Sequence, residues 1–205
     1  MTVVGHGRHP GGASCSPVHV DDTLDFLLGR WSLVRTVTDH RAGLDGRFEG
    51  RADVREGSPD VSGRPECGGR VALSTAGEAR WATYEEVGRF RLARHDGVAR
   101  RHLRYRNRPD ASLLVEFADG RPFLVVDLRD GHWSACHDCG PDRYDLSFVV
   151  RSPETFEEHW HVRGPSKDYE ARAVFVRDLR PAAAAEHHQD GRLRNELIVP
   201  MAATD

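Results

Sequence analysis

The sequence predicts an all-β fold: a single antiparallel up-and-down β-barrel of about ten strands, with a short N-terminal helix. Three observations predict it. From about residue 21 to residue 178, apolar and polar side chains alternate with period two almost throughout. Asp96-Gly97, Asp119-Gly120 and Asp130-Gly131 fall between alternating runs, where tight hairpin turns are expected. An amphipathic lead-in, Asp21 to Leu28, runs straight into Gly29-Arg30-Trp31 and an alternating strand. Many strands joined by hairpin-length connections close most naturally as a barrel.

The elements follow in chain order. Residues 1–20, rich in Gly and His with few large apolar side chains, read as a disordered leader, and Met1 to Pro17 has no apolar stretch of the kind a signal peptide needs. In the first strand Trp31, Leu33, Arg35 and Val37 alternate with Ser32, Val34, Thr36 and Thr38. In the second, Phe48, Gly50, Ala52 and Val54 alternate with Glu49, Arg51, Asp53 and Arg55, the pattern of a half-buried antiparallel strand. Gly57 to Gly77 is too long and too rich in Gly, Pro and Ser for a hairpin loop, and reads as a flexible insertion beside the barrel mouth. Further strands fit 80–87, 89–94, 98–106, 112–118, 122–128, 132–138, 143–150, 156–163 and 168–177. Residues 179–205, with an Ala run and His187-His188, read as a flexible tail. The barrel domain is therefore expected over 21–178.

Composition narrows the function classes. A chain of 205 residues suits one buried domain, and a mean hydropathy of -0.58 with no long apolar run argues against a membrane helix. Net charge of -3, with Arg interleaved among Asp and Glu, argues against a nucleic-acid footprint. A cytoplasmic location is the default. Lys167 is the only lysine, as a GC-rich genome that writes Arg for Lys would produce. A lysine that survives such a bias, in Gly164-Pro165-Ser166-Lys167-Asp168-Tyr169, points to a need for a compact ammonium in place of a planar fork.

In the last strand Tyr169, Ala171, Ala173, Phe175 and Arg177 share one parity, so an inward Phe carries an inward Arg with it. A buried Arg finds a partner in an aromatic face. With Gly-x-Trp at the other end, this resembles the lipocalins and their calycin relatives. That resemblance implies that Trp31 plugs the base of the barrel and Arg177 packs over its ring.

The densest polar cluster runs from His132 to Tyr144. Cys136-x-x-Cys139 supplies half of a zinc site, but strand alternation points the two thiols apart, so no metal is expected. Cys15 and Cys67 lie far off in Gly-rich stretches, and in a cytosolic protein all four thiols would be reduced. His137, Asp142 and Tyr144 form a candidate acid–base set, with Cys139 beside them: a carboxylate fixes an imidazole tautomer and a phenol adds a donor. The same residues also fit a polar hairpin cap. A second cluster brings Trp160 and Tyr169 as flat ligand walls, with Lys167 to attract an anionic or carbonyl group; Lys167 and Asp168 also fit a simple surface pair. Tyr84 and Glu86 share a strand face, and an inward Glu86 needs Arg35 or Arg104 beside it.

Phe26-Leu27-Leu28-Gly29-Arg30-Trp31, Tyr84-x-Glu86-x-Gly88, Val115-x-Phe117-x-Asp119-Gly120-Arg121-x-Phe123, His137-x-Cys139-x-x-Asp142-x-Tyr144 and Trp160-x-Val162-x-Gly164-Pro165-x-Lys167-Asp168-Tyr169 occur in this order. Together they resemble a bacterial family of unknown function with a lipocalin-like barrel, from about Phe26 to Arg177. The resemblance implies a fold and no activity. Three function classes remain. The first is a small-molecule-binding barrel with a mostly apolar cavity and a few polar anchors, needing no cofactor. The second is an isomerase, cyclase or hydratase on the same cavity, with His137 as the proton carrier. The third is a haem-binding barrel with His137 or His102 as axial ligand. The expected partner is a small molecule, not a nucleic acid or a membrane; oligomeric state is left open.

Overall fold

The structure, a computed structural model, describes residues 18–57 and 79–179. The expected insertion, the tail and most of the leader lie outside these residues, as do Cys15 and Cys67. A helix α1 (Thr23–Leu27) precedes ten strands: β1 (Gly29–Asp39), β2 (Leu44–Glu56), β3 (Trp81–Leu92), β4 (His95–Asn107), β5 (Leu113–Phe117), β6 (Pro122–Val126), β7 (His132–Cys139), β8 (Asp142–Ser152), β9 (Thr155–Arg163) and β10 (Asp168–Arg177). All pairings are antiparallel and run β6-β5-β4-β3-β2-β1-β10-β9-β8-β7. The barrel is thus closed through β1 and β10 and left with one unpaired seam, between β6 and β7. No described helix is long and apolar enough to cross a membrane.

Alternation becomes burial. Trp31, Leu33, Arg35 and Val37 point inward from β1, and Phe156, Glu158, Trp160 and Val162 from β9. The base is closed by α1. Asp22 caps it by accepting from the Asp25 amide at 2.9 Å, and the Thr23 hydroxyl accepts from the Leu128 amide at 3.1 Å. Val20 donates to the Arg129 carbonyl at 3.2 Å, so the segment before α1 runs past the connection between β6 and β7.

The Trp31–Arg177 expectation holds. Trp31 is 1% exposed and its indole donates to the Leu27 carbonyl at 2.9 Å. The Arg177 guanidinium lies 4.1 Å from the Trp31 ring centroid and donates to the carbonyls of Leu28 (2.7 Å) and Phe26 (2.5 Å). One arginine therefore satisfies the carbonyls that the helix end leaves over and covers the aromatic plug at once.

Two local expectations are corrected. Residues 80–87 and 89–94 do not form separate strands; β3 runs unbroken from Trp81 to Leu92. The hairpin turn after it is Ala93-Arg94, with Ala93 at φ 52°, and Asp96-Gly97 lies inside β4. Cross-strand pairing decided this: Asp96 is held by Arg89 at 2.8 Å, and the register pairs Gly97 with Phe90.

Gly50 and Gly88 pair directly across β2 and β3, and the Phe48 ring occupies the space beside them. A Cβ on Gly88 would run into the Glu49 carbonyl oxygen and the Phe48 ring. Replacing Gly88→Ala is expected to cost about 1–3 kcal/mol by overpacking; urea unfolding at neutral pH measures it, and an unchanged midpoint would contradict the close approach.

Candidate functional site

Inside the barrel, four charged side chains from four strands meet. Arg35 of β1 is fully buried and bonds Glu86 of β3 through both nitrogens, at 2.7 and 3.0 Å. Its second nitrogen also reaches Glu158 of β9 at 3.3 Å. Arg101 of β4 donates to Glu86 at 3.0 Å and to the Tyr84 hydroxyl at 3.1 Å, and Tyr84 donates to Glu86 at 2.5 Å. Of the two partners expected for Glu86, Arg35 is the one used. Arg104 faces outward, 5.2 Å from the Trp81 ring centroid and 3.9 Å from Glu116.

Burial alone would raise the Glu86 carboxyl, but the Arg101 and Arg35 guanidiniums outweigh it and hold the group down at about 2. Burial pushes the phenols of Tyr84 and Tyr105 well up, so both stay protonated. Sequence reasoning missed Arg101 and Glu158. The signal was present: Arg101 has the inward parity of Ala99 and Leu103, and Glu158 sits between Phe156 and Trp160.

Between this layer and α1 lies a cavity. Its volume is about 40 Å³. Trp31, Leu103, Val115, Phe148 and Phe156 line it, with Arg101 and Tyr84 toward the charged layer. Trp160 and Phe123 stack on its wall with centroids 5.8 Å apart and planes 14° apart. Trp160 is 3% exposed, and its indole nitrogen has no hydrogen-bond partner among the described residues.

The opposite end, where β7, β8, β9 and β10 meet, gathers the two sequence motifs. Lys167 lies 2.6 Å from the Asp142 carboxylate and donates to the Tyr144 hydroxyl at 3.0 Å. Its ion-pair partner is therefore Asp142 and not Asp168, which turns toward His161 at 3.7 Å. Burial would lower the Lys167 ammonium; the bonds from Asp142 and Tyr144 more than compensate and raise it. Gly164 is glycine because the Asp142 carboxylate fills the place of its Cβ. The compact ammonium foreseen for the sole lysine is used here, between a carboxylate and a phenol.

Tyr144 and Tyr169 are buried beside this clasp. Cys139 is partly buried and Cys136 exposed, on opposite faces of β7 as alternation requires. His137 sits across the unpaired seam from β6, its ring edge-on to Phe123 at 5.4 Å and tilted toward Tyr144 at 6.3 Å. Phe123 thereby joins the mouth, through His137, to the cavity wall, through Trp160. Tyr84 and Glu86 stand apart from the mouth, in the charged layer. His102 faces outward and bonds Glu85 at 2.8 Å, so it offers nothing to the lumen.

A family model described as "Family of unknown function (DUF6314)" matches residues 27–177. No curated protein matches the chain in sequence. Among solved structures, the S-type phycobiliprotein lyase CPES from Guillardia theta superposes with a TM-score of 0.53 at 12% identity, covering 80% of this chain and 95% of that one. A redesigned β-barrel, mFAP0, bound to DFHBI, superposes with a TM-score of 0.34 at 12% identity, covering 74% of this chain and 99% of that one. At 12% identity the likeness to the lyase is one of fold.

Two predictions follow from this geometry. Glu86 has a folded-state pKa held below its unfolded value, so the stability it contributes is present above about pH 4.5 and is lost as pH falls toward about 2. Glu86→Gln is expected to be less stable than wild type at pH 7 and to lose less on acidification through that window; urea unfolding at pH 7 and pH 3 compares the slopes. At the mouth, a double-mutant cycle of Asp142→Asn and Lys167→Met is expected to give a coupling energy of about 1 kcal/mol. Strict additivity would mean that the clasp contributes nothing.

Proposed function

We propose that this chain, which belongs to the family of unknown function DUF6314 over residues 27–177, is a small-molecule-binding barrel whose ligand lies in the cavity between α1 and the charged layer. One observation carries the reading: an aromatic-walled, mostly apolar cavity inside the barrel, with Tyr84 and Arg101 among its lining residues. Ligand sites are concave and mostly apolar, with a few oriented polar groups, and this cavity has that make-up. Trp31 and Arg177 seal it below, and the charged layer bounds it above.

In this reading Tyr84 and Trp160 contact the ligand, while Glu86 holds Arg101 in place. His137, Cys139, Tyr144, Lys167 and Tyr169 form the polar rim at the other end, with Phe123 between rim and cavity. Asp142 holds Lys167 and makes no bond to His137 among the described residues, so the pairing that supports acid–base catalysis by His137 is directed elsewhere.

Native mass spectrometry of the full chain, purified from its own cells, tests the reading. A retained organic molecule, released on denaturation, is the expected result. Val115→Phe, which fills the cavity, is expected to abolish retention while leaving the melting temperature close to wild type, because filling a cavity is tolerated by the fold. Retention unaffected by Val115→Phe would place the ligand elsewhere.

A further inference from the structure

The cavity is smaller than a ligand. Its volume of about 40 Å³ has room for about three water molecules, whereas ligand pockets run to about 300 Å³ or more. For a cavity that binds a ligand, the reading this inference rests on, part of the wall has to move.

Every way in but one is held. Below, α1 is tied down by Arg177 on the carbonyls of Phe26 and Leu28, and by the Leu128 amide on the Thr23 hydroxyl. Above, Arg35, Glu86, Arg101 and Glu158 cross the lumen, and parting them would strand buried charges. Around the wall, antiparallel ladders join neighbouring strands everywhere except between β6 and β7.

That seam adjoins the cavity. Phe123, Leu124 and Val126 of β6 line it, and so does Phe148 of β8, against which Trp133 of β7 packs at 5.6 Å. β6 is short and has a single ladder, to β5, with a break in register between Val115 and Glu116. Its far end is anchored where Leu128 meets Thr23, while its near end, Pro122, is exposed and follows the turn at Asp119-Gly120. Phe117 of β5 packs on Phe123 at 4.8 Å, which makes one body of the hairpin tip. Across the seam Phe123 meets His137 edge-on at 5.4 Å, with no ladder behind the contact.

We propose that the seam is the entrance to the cavity and that Phe123 is its gate. The tip of the β5–β6 hairpin swings away from β7, Phe123 leaves His137 and Trp160, and the space it vacates admits the ligand and gives it room.

Thiol labelling of the full chain, its four cysteines replaced by serine, tests this without any ligand. Val54→Cys puts a reporter on β2, in the cavity lining and away from the seam; Val162→Cys puts one at a buried position outside that lining. Methyl methanethiosulfonate is the reagent and mass spectrometry the readout. Val54→Cys is expected to label about tenfold faster or more, because it needs only the local opening. Equal rates would overturn the proposal.

Phe123→His then clips the seam. The introduced imidazole stands about where the Phe123 ring does, 5.4 Å from His137, and the two can share one nickel ion. Nickel is expected to slow labelling at Val54→Cys about tenfold or more in this variant, chelation to restore it, and neither to matter where Phe123 is kept. Unchanged labelling, with calorimetry showing nickel bound by the variant and not by its parent, would overturn the proposal. Should Phe123→His not fold or not bind nickel, His137→Ala decides. Loss of the contact across the seam is expected to speed labelling at Val54→Cys about two- to tenfold, the worth of one aromatic pair, and an unchanged rate overturns the proposal.

Labelling reports the gate and not the ligand. If the seam fails these tests while the purified chain retains an organic molecule, only the entrance is wrong. If no molecule is retained, the binding reading falls, whatever the seam does.

Discussion

The interaction on which the rest of this barrel depends is the buried layer of Arg35, Glu86, Arg101 and Glu158. Ions removed from water are costly unless every one is paired and bonded, and breaking one pair strands the others. This layer meets the condition with bonds of 2.7 to 3.3 Å that tie β1 and β3 to β9 across the lumen and draw in β4 beside them. A slip of one residue in any of these strands would turn a charge outward and leave its partners uncompensated, so the layer also specifies register. Its geometry reaches into neighbouring residues. The Arg35 guanidinium lies 5.5 Å from the Phe48 ring centroid, and that ring sits in space that exists only because Gly50 and Gly88 lack side chains.

The same layer sets the dielectric logic of the cavity. A lumen with a single unpaired cation would attract anions by charge alone. Here the charges cancel inside the protein, Arg35 and Arg101 against Glu86 and Glu158. The two ends of the barrel differ in kind as a result. The base is sealed by aromatic packing, with Trp31 and Phe156 at 4.9 Å and Phe156 stacked on Phe175 at 4.3 Å, under Arg177. The mouth is held by a smaller, partly exposed clasp of Lys167 with Asp142 and Tyr144.

The unpaired seam is where these two regions meet. β6 and β7 share no ladder, and the contact across them is made by side chains, Phe123 against His137. Backbone hydrogen bonds would fix that gap rigidly; a ring-edge contact does not, so the seam is the part of the wall with the least to break on opening. Phe123 also stacks on Trp160, so any movement at the seam is felt at the cavity wall.

Much of this was legible in the residues alone. Alternation needs no tertiary information, because a half-buried strand must place apolar side chains at every second position. It located the barrel, gave Arg35 and Arg177 the inward parity, and separated Cys136 from Cys139; the placing of Arg177 over Trp31 came from the resemblance to lipocalins. It also brought the two polar motifs to one end, since consecutive hairpins return to the same rim. Three things were decided only in the folded chain. The turn moved from Asp96-Gly97 to Ala93-Arg94, because pairing across β3 and β4 outweighed local turn preference. Lys167 chose Asp142 over its neighbour Asp168, because adjacent residues on a strand point to opposite faces while Asp142 arrives from the next hairpin. And Glu86 found Arg101 as well as Arg35, residues 15 and 51 positions away in sequence from it, while Arg35 also reached Glu158 on β9. Period two tells which face a residue takes; which residues meet across a lumen depends on strand order and closure, and those exist only once the barrel has formed.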